Sequence, residues 1–124
     1  MDQLLAIALG GALGSVLRYL VSSKINQLIP INFPYGTLVV NVTGCFLIGF
    51  LSILLVERLS LSAIWRAGIL IGFLGGFTTF SSFSLDTLKL YENGAWLAAG
   101  MNVLSTTLLC LLATLLGIFL GRNL

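Results

Sequence analysis

The segment that decides the fold runs from Gly72 to Ser84 and reads GFLGGFTTFSSFS. It lies inside a long apolar run, yet it brings two adjacent glycines and then a mixture of hydroxyl residues and phenylalanines. Glycine is a poor helix former that tolerates unusual dihedrals, and the β-branched Thr78 and Thr79 add their own reluctance to be helical. The run from Ile64 to Gly75 covers about 11 residues, or ~16 Å of helix at ~1.5 Å rise. That is half of a ~30 Å hydrocarbon core, and the stretch from Thr79 to Leu90 covers the other half. The reading is a membrane helix interrupted near the midplane, at Gly75-Gly76-Phe77-Thr78. Backbone groups freed there cannot face lipid; they must be buried in protein or line a site.

Working outward, the rest of the chain supports a membrane setting. Of 124 residues, 58% are hydrophobic and 8% charged, against about 25% charged in a soluble domain. Mean hydropathy is +1.10. Four apolar runs, about 4–21, 36–56, 64–90 and 95–120, each hold at least ~18 residues, enough to cross the hydrocarbon. Turn chemistry separates them: Pro30 and Pro34, then Ser60 and Ser62, then Asn93-Gly94. Tyr19, Tyr35, Trp65, Tyr91 and Trp96 lie at the expected ends, as an aromatic belt does. The N-terminal run lacks a basic region and is longer than a leader's apolar core, so it reads as a span. The expectation is an all-α integral membrane protein with four transmembrane helices, one domain over residues 1–124, in contact with lipid.

Charge and residue types remove several function classes. A net charge of +2 is too small to imply a nucleic-acid partner, and there is no histidine. Without histidine, a carboxylate cluster or metal-ligand spacing, no enzyme is expected. Cys45 and Cys110 both fall in apolar runs and read as free, buried thiols rather than a disulfide or metal pair.

Lysine and arginine set orientation in the membrane. With four spans, both termini and the middle loop share a side. That side carries Arg58, Arg66 and Arg122; the other carries Lys24, Lys89 and, where it reaches the interface, Arg18. So small a bias leaves both orientations open. Oppositely oriented copies can then pair about an axis in the membrane plane, unless the count is uninformative or an insertion factor decides.

The polar residues inside the spans are the candidate site. At a break, the first half-helix presents carbonyl oxygens to a cation, and the second presents amides to an anion. Carbonyls from two copies meeting on the two-fold axis suit one small, hard cation. Asn41 is costly in hydrocarbon unless it faces a partner or water. In the fourth span Asn102, Thr106, Cys110 and Thr114 fall four apart and share a face. Arg18 is the one basic residue deep in a span; it reads as a cationic vestibule or as a snorkelling side chain. Neutral donors of this kind suit an anion or a neutral solute better than a proton or a metal. The competing reading assigns the glycines, serines and threonines to helix packing. Packing also suffices for Phe77, Phe80 and Phe83 at i, i+3, i+6 and for Gly10 and Gly14 as a GxxxG. Asp86 and Lys89 read as a local pair.

With these residues in hand, the chain resembles the Fluc (CrcB) family of fluoride channels over essentially its whole length. The resemblance rests on GGALGSVLRY in the first span, PYGTLVVNVTG before and in the second, and GFLGGFTTFSSFS in the third. It implies an antiparallel, dual-topology homodimer of four-helix subunits. It implies a central Na+ held by backbone carbonyls at the third-helix break, at Gly75 and Thr78 of each chain. It implies two fluoride pores lined by both subunits, with the paired phenylalanines at Phe80 and Phe83, the pore asparagine at Asn41 and the vestibule arginine at Arg18. The hydroxyl track maps onto Ser81, Thr106, Cys110 and Thr114; relatives commonly carry serine where Cys110 stands, and a thiol is the weaker donor.

The implied role is passive fluoride export across the inner (plasma) membrane, conferring fluoride resistance. Fluoride is strongly hydrated and needs replacement donors, which Asn41, hydroxyls and the positive edges of phenylalanine rings supply. Conduction also requires binding weak enough to release, and no fixed positive charge sits in the narrows. The rival is a small dual-topology exporter that exchanges protons for cations. It needs a carboxylate inside the first helix, where this chain has none.

Overall fold

A computed structural model describes residues 1–124 as four helical spans: Asp2–Leu28, Tyr35–Arg58, Ala63–Glu92 and Trp96–Asn123. Each is longer than expected, and the first shows why. Past Val21, residues Ser22 to Leu28 are only mildly poor helix formers, so the helix continues until a true breaker. That breaker is Pro30, which pushes Ile29 before it to φ −119° and ψ 85°, the extended region that the proline ring imposes. Tyr19 therefore sits inside the helix rather than at its end. Asn26 Oδ1 then accepts from Gly36 N at 3.0 Å and fastens the start of the second span to the end of the first.

The third span is broken, as the sequence implies, but not quite where expected. Gly75 and Gly76 remain in a helical turn, Leu74–Phe77. The extended residues are Thr78 (φ −86°, ψ 155°) and Thr79 (φ −152°, ψ 118°). The β-branched pair takes the extended geometry it favours, while the glycines serve a different need. The helix resumes over Phe80–Glu92. Two π-helical stretches, Ile53–Arg58 and Ala67–Phe73, were not legible beforehand. The second leads directly into the break.

Backbone-to-backbone packing fixes the helix arrangement. A Cβ on Gly10 would run into the Gly68 carbonyl, and one on Gly14 into the Phe73 carbonyl. From the opposite side, Gly72 abuts Ile7 and Gly76 abuts Gly11. The first and third spans thus interlock through glycines at four-residue spacing on both helices, as small residues let membrane helices do. Gly49 against Thr114, and Gly117 against Phe46, join the second and fourth spans in the same way. Gly75 differs: a Cβ there would meet nothing.

Only 19 of 124 residues are buried, and Leu4, Leu9, Leu13, Leu97, Leu104, Leu111 and Leu115 stand exposed along the outer faces. Such a surface requires hydrocarbon around it. The chain is a multi-pass membrane protein. Arg58 Nη2 donates to the Arg122 carbonyl at 3.1 Å and Arg122 pairs with Glu57 at 3.7 Å. The end of the fourth span and the connection after the second therefore share one side, as expected. The local pair of Asp86 and Lys89 does not form; Asp86 Oδ2 accepts instead from Thr37 Oγ1 at 2.9 Å.

Candidate functional site

The break is organised by a residue from another helix. Asn41, buried in the second span, accepts from Thr79 N at 2.8 Å through Oδ1 and donates to Thr79 O at 3.0 Å through Nδ2. This two-point clasp satisfies both backbone groups that the extended turn releases at Thr79. One proton on Nδ2 is thereby engaged and the second remains available. Thr79 also caps the second half-helix, its Oγ1 accepting from Ser82 N at 3.2 Å, as threonine does at an N-cap. Thr79 Oγ1 lies 3.1 Å from Ser81 Oγ and donates to Ser82 Oγ at 3.2 Å.

These exchanges leave two carbonyls without their helical donors. In an unbroken helix Thr79 N would reach Gly75 O, and Ser82 N would reach Thr78 O. Both amides are engaged elsewhere. The Gly75 and Thr78 carbonyls, on an open face, are hard oxygen donors of the type alkali cations take. The neighbouring Gly76 carbonyl is held by Arg18, whose Nε donates to it at 3.0 Å. Arg18 thus lies against the end of the first half-helix rather than snorkelling outward, and its charge faces the negative end of that helix.

Beside the break opens a cavity of about 340 Å³, lined by Asn41, Cys45, Phe80, Phe83, Thr106 and Cys110 among others. The Phe80 and Phe83 rings are 5.3 Å apart and tilted by 60°. Phe77 is not part of this pair; it stacks on Phe73 on the other side of the break. Phe83 is buried, whereas Phe80 is 78% exposed, so the cavity lacks a wall on that side. Of the expected site residues, the structure brings Asn41, Thr78, Phe80, Phe83 and Thr106 together here. Gly75 adjoins only a smaller cavity on the first half-helix's side of the break, which Thr78 also lines. Ser81, Arg18 and Thr114 lie outside the main cavity.

The fourth-span stripe is real, and its protons are engaged internally. Thr106 Oγ1 donates to Asn102 Oδ1 at 3.3 Å, and the fully buried Asn102 donates to Thr87 Oγ1 at 2.8 Å. Thr114 Oγ1 reaches both the Cys45 and Cys110 carbonyls, at 3.1 and 3.0 Å. Sequence reasoning missed Thr79 as a cap, Thr87 as a bridge and Cys45 as a cavity residue. A threonine directly ahead of a resumed apolar helix was the legible signal for the first.

Over residues 5–118 the sequence matches the family model described as CrcB-like protein, Camphor Resistance (CrcB). The chain belongs to the CrcB family. The likeness read from three segments thus extends over nearly the whole of this CrcB-family chain. It is 48% identical to a fluoride-specific ion channel FluC of Geobacter sulfurreducens over 124 residues, 100% of both proteins. It is 46% identical to the FluC of Magnetococcus marinus, covering 97% of this chain and 98% of that one. A 50% identical FluC of Methylococcus capsulatus is longer, and the match covers 98% of this chain but 54% of that protein.

Proposed function

We propose that this chain is a fluoride-selective channel through which cytoplasmic fluoride leaves passively, conferring fluoride resistance. One observation carries the reading: a tilted phenylalanine pair and a clasped asparagine face one cavity at the mid-membrane break. Relatives 46–50% identical are named fluoride-specific ion channels, which supports the assignment. HF crosses the bilayer as a neutral acid and ionises in the less acidic cytoplasm, and the anion then flows down its own gradient.

The chain's residues replace the ion's water in stages. Ring edges of Phe80 and Phe83 carry partial positive charge. The free proton on Asn41 Nδ2 and the N-terminal end of the second half-helix add donors without a full charge. Thr106 joins this path when its hydroxyl turns from Asn102, and Ser81 and Thr114 extend it. Arg18 raises the local anion concentration from the far side of the break. Because no lysine or arginine lines the cavity, a bound fluoride is not trapped.

The open side at Phe80 calls for a second copy. An antiparallel homodimer closes the cavity and brings the free Gly75 and Thr78 carbonyls of two chains together on the axis. Those four oxygens fit Na+, which would neutralise their converging dipoles and hold the dimer centre. Both copies reside in the inner (plasma) membrane.

The test is release from liposomes loaded with fluoride or chloride, started by a potassium ionophore. Fluoride should leave far faster than chloride. Equal rates would remove the selectivity on which the reading stands.

A further inference from the structure

The two cysteines were expected to be free, buried thiols rather than a disulfide or metal pair. The structure brings them together. Cys45 on the second span and Cys110 on the fourth are both free and half-buried, and both line the cavity that holds Phe80 and Phe83. Both thiols thus open onto one space. Thr114 Oγ1, bonded to both cysteine carbonyls, pins the two facing turns. Further along, Gly49 and Gly117 hold the same spans in backbone contact, so the two turns cannot readily drift apart.

We propose that Cys45 and Cys110 form a two-coordinate site for a thiophilic divalent cation of the mercuric class. Sulfur is a soft donor that selects soft metals. The site has no third ligand, since no cluster of three histidine, cysteine or carboxylate residues exists in the chain. A tetrahedral ion such as Zn2+ is therefore disfavoured, whereas a linear ion is complete with two sulfurs. Charge selects further. Each thiol releases one proton as its bond to Hg2+ forms, so the S–Hg–S unit is neutral. A monovalent soft ion held by two thiolates would leave a negative charge in a low-dielectric setting, which is costly. The cavity supplies the route by which the ion arrives and the protons depart. Once bound, the metal lies on the wall of the proposed fluoride path and obstructs it.

The test titrates the intact protein in detergent with HgCl2 in thiol-free buffer, then measures retained mercury by mass spectrometry after desalting. One mercury per chain is expected, with two sulfur neighbours in X-ray absorption, and no retention of Zn2+. In Cys45→Ala and Cys110→Ala alike, affinity should fall by about 10²-fold or more, the scale on which linked contacts reinforce one another. Two mercury ions per wild-type chain, a single sulfur neighbour, or undiminished binding in either variant would overturn the site. Where alanine disturbs the helix content, the absorption spectrum of the wild type decides alone. A second arm rests on the fluoride reading: mercury should arrest fluoride release from wild-type liposomes, but not from either single variant relative to its own metal-free rate. Arrest of both variants would overturn the pairing. Absence of any metal-free flux would count against the channel reading and leave the stoichiometry standing.

Discussion

At the scale of single residues, Asn41 carries the most structural consequence. Its carboxamide serves the Thr79 N–H and C=O together, a fit that alanine cannot supply and aspartate supplies only by half. Asn41→Ala should strand two polar groups in a buried setting at about 1–3 kcal/mol each, lowering the thermal midpoint in detergent and slowing fluoride release. Asn41→Asp keeps the acceptor for Thr79 N but adds a negative charge beside the cavity. It should lose fluoride flux more completely than alanine and cost at least as much in melting temperature, because an ionised carboxylate is buried against the Thr79 carbonyl; an aspartate variant that conducts like wild type would contradict anion passage past this residue. The rings ask a separate question. Phe80→Ile and Phe83→Ile keep bulk and hydrophobicity but remove the positive edge, so efflux should slow in both while gel-filtration profiles stay unchanged. Unaltered efflux in both would make the pair a packing feature. The phenylalanine pair was legible only through the family resemblance, since its spacing, shared with Phe77, reads by itself as packing. The clasp was not, since Asn41 and Thr79 are 38 positions apart and no local pattern links them.

At the scale of elements, the third span shows what a sequence conveys and what it withholds. A break was legible from Gly75-Gly76 and the threonines after it. Its location shifted because glycine permits an irregular turn without demanding one, and the competing demand came from the first span. Gly76 is needed against Gly11, so it stays helical, and the interruption moves to Thr78 and Thr79. The π-helical Ala67–Phe73 had no sequence mark, because its extra width accommodates neighbours rather than expressing a local preference. The adjacent glycines therefore separate by experiment. Gly76→Ala places a methyl group 2.6 Å from the Gly11 carbonyl and should destabilise the folded chain by about 1–3 kcal/mol, as overpacking does. Gly75→Ala meets nothing within the chain, so its melting temperature as a monomer should be unaffected. If a second copy and a cation occupy that face, Gly75→Ala should instead shift the monomer–dimer equilibrium toward monomer in detergent. A dimer as stable as wild type would place the partner elsewhere.

At the scale of the whole molecule, the weak charge bias becomes sharper once Arg18 is assigned. Its Nε is engaged by Gly76 O inside the bundle, which removes it from either surface. Arg58, Arg66 and Arg122 then face Lys24 and Lys89, three against two. A margin of one charge gives little preference during insertion, and the proposed antiparallel pair requires both orientations in one membrane. Charge should therefore control function without touching the cavity. Gln3→Lys with Asn123→Lys adds two positive charges on the side of the termini, giving five against two; Gln27→Lys with Asn32→Lys and Asn93→Lys adds three on the other, giving five against three. Each variant should insert one way, label from a single membrane face at a C-terminal tag, and fail to protect cells growing in fluoride. The wild type should label from both faces. Expressed together, the two variants can again form opposed pairs, and growth in fluoride should return. A variant that labels from one face alone yet still confers resistance would rule out the antiparallel dimer as the conducting unit, because no oppositely oriented partner would then exist to close the cavity beside Phe80.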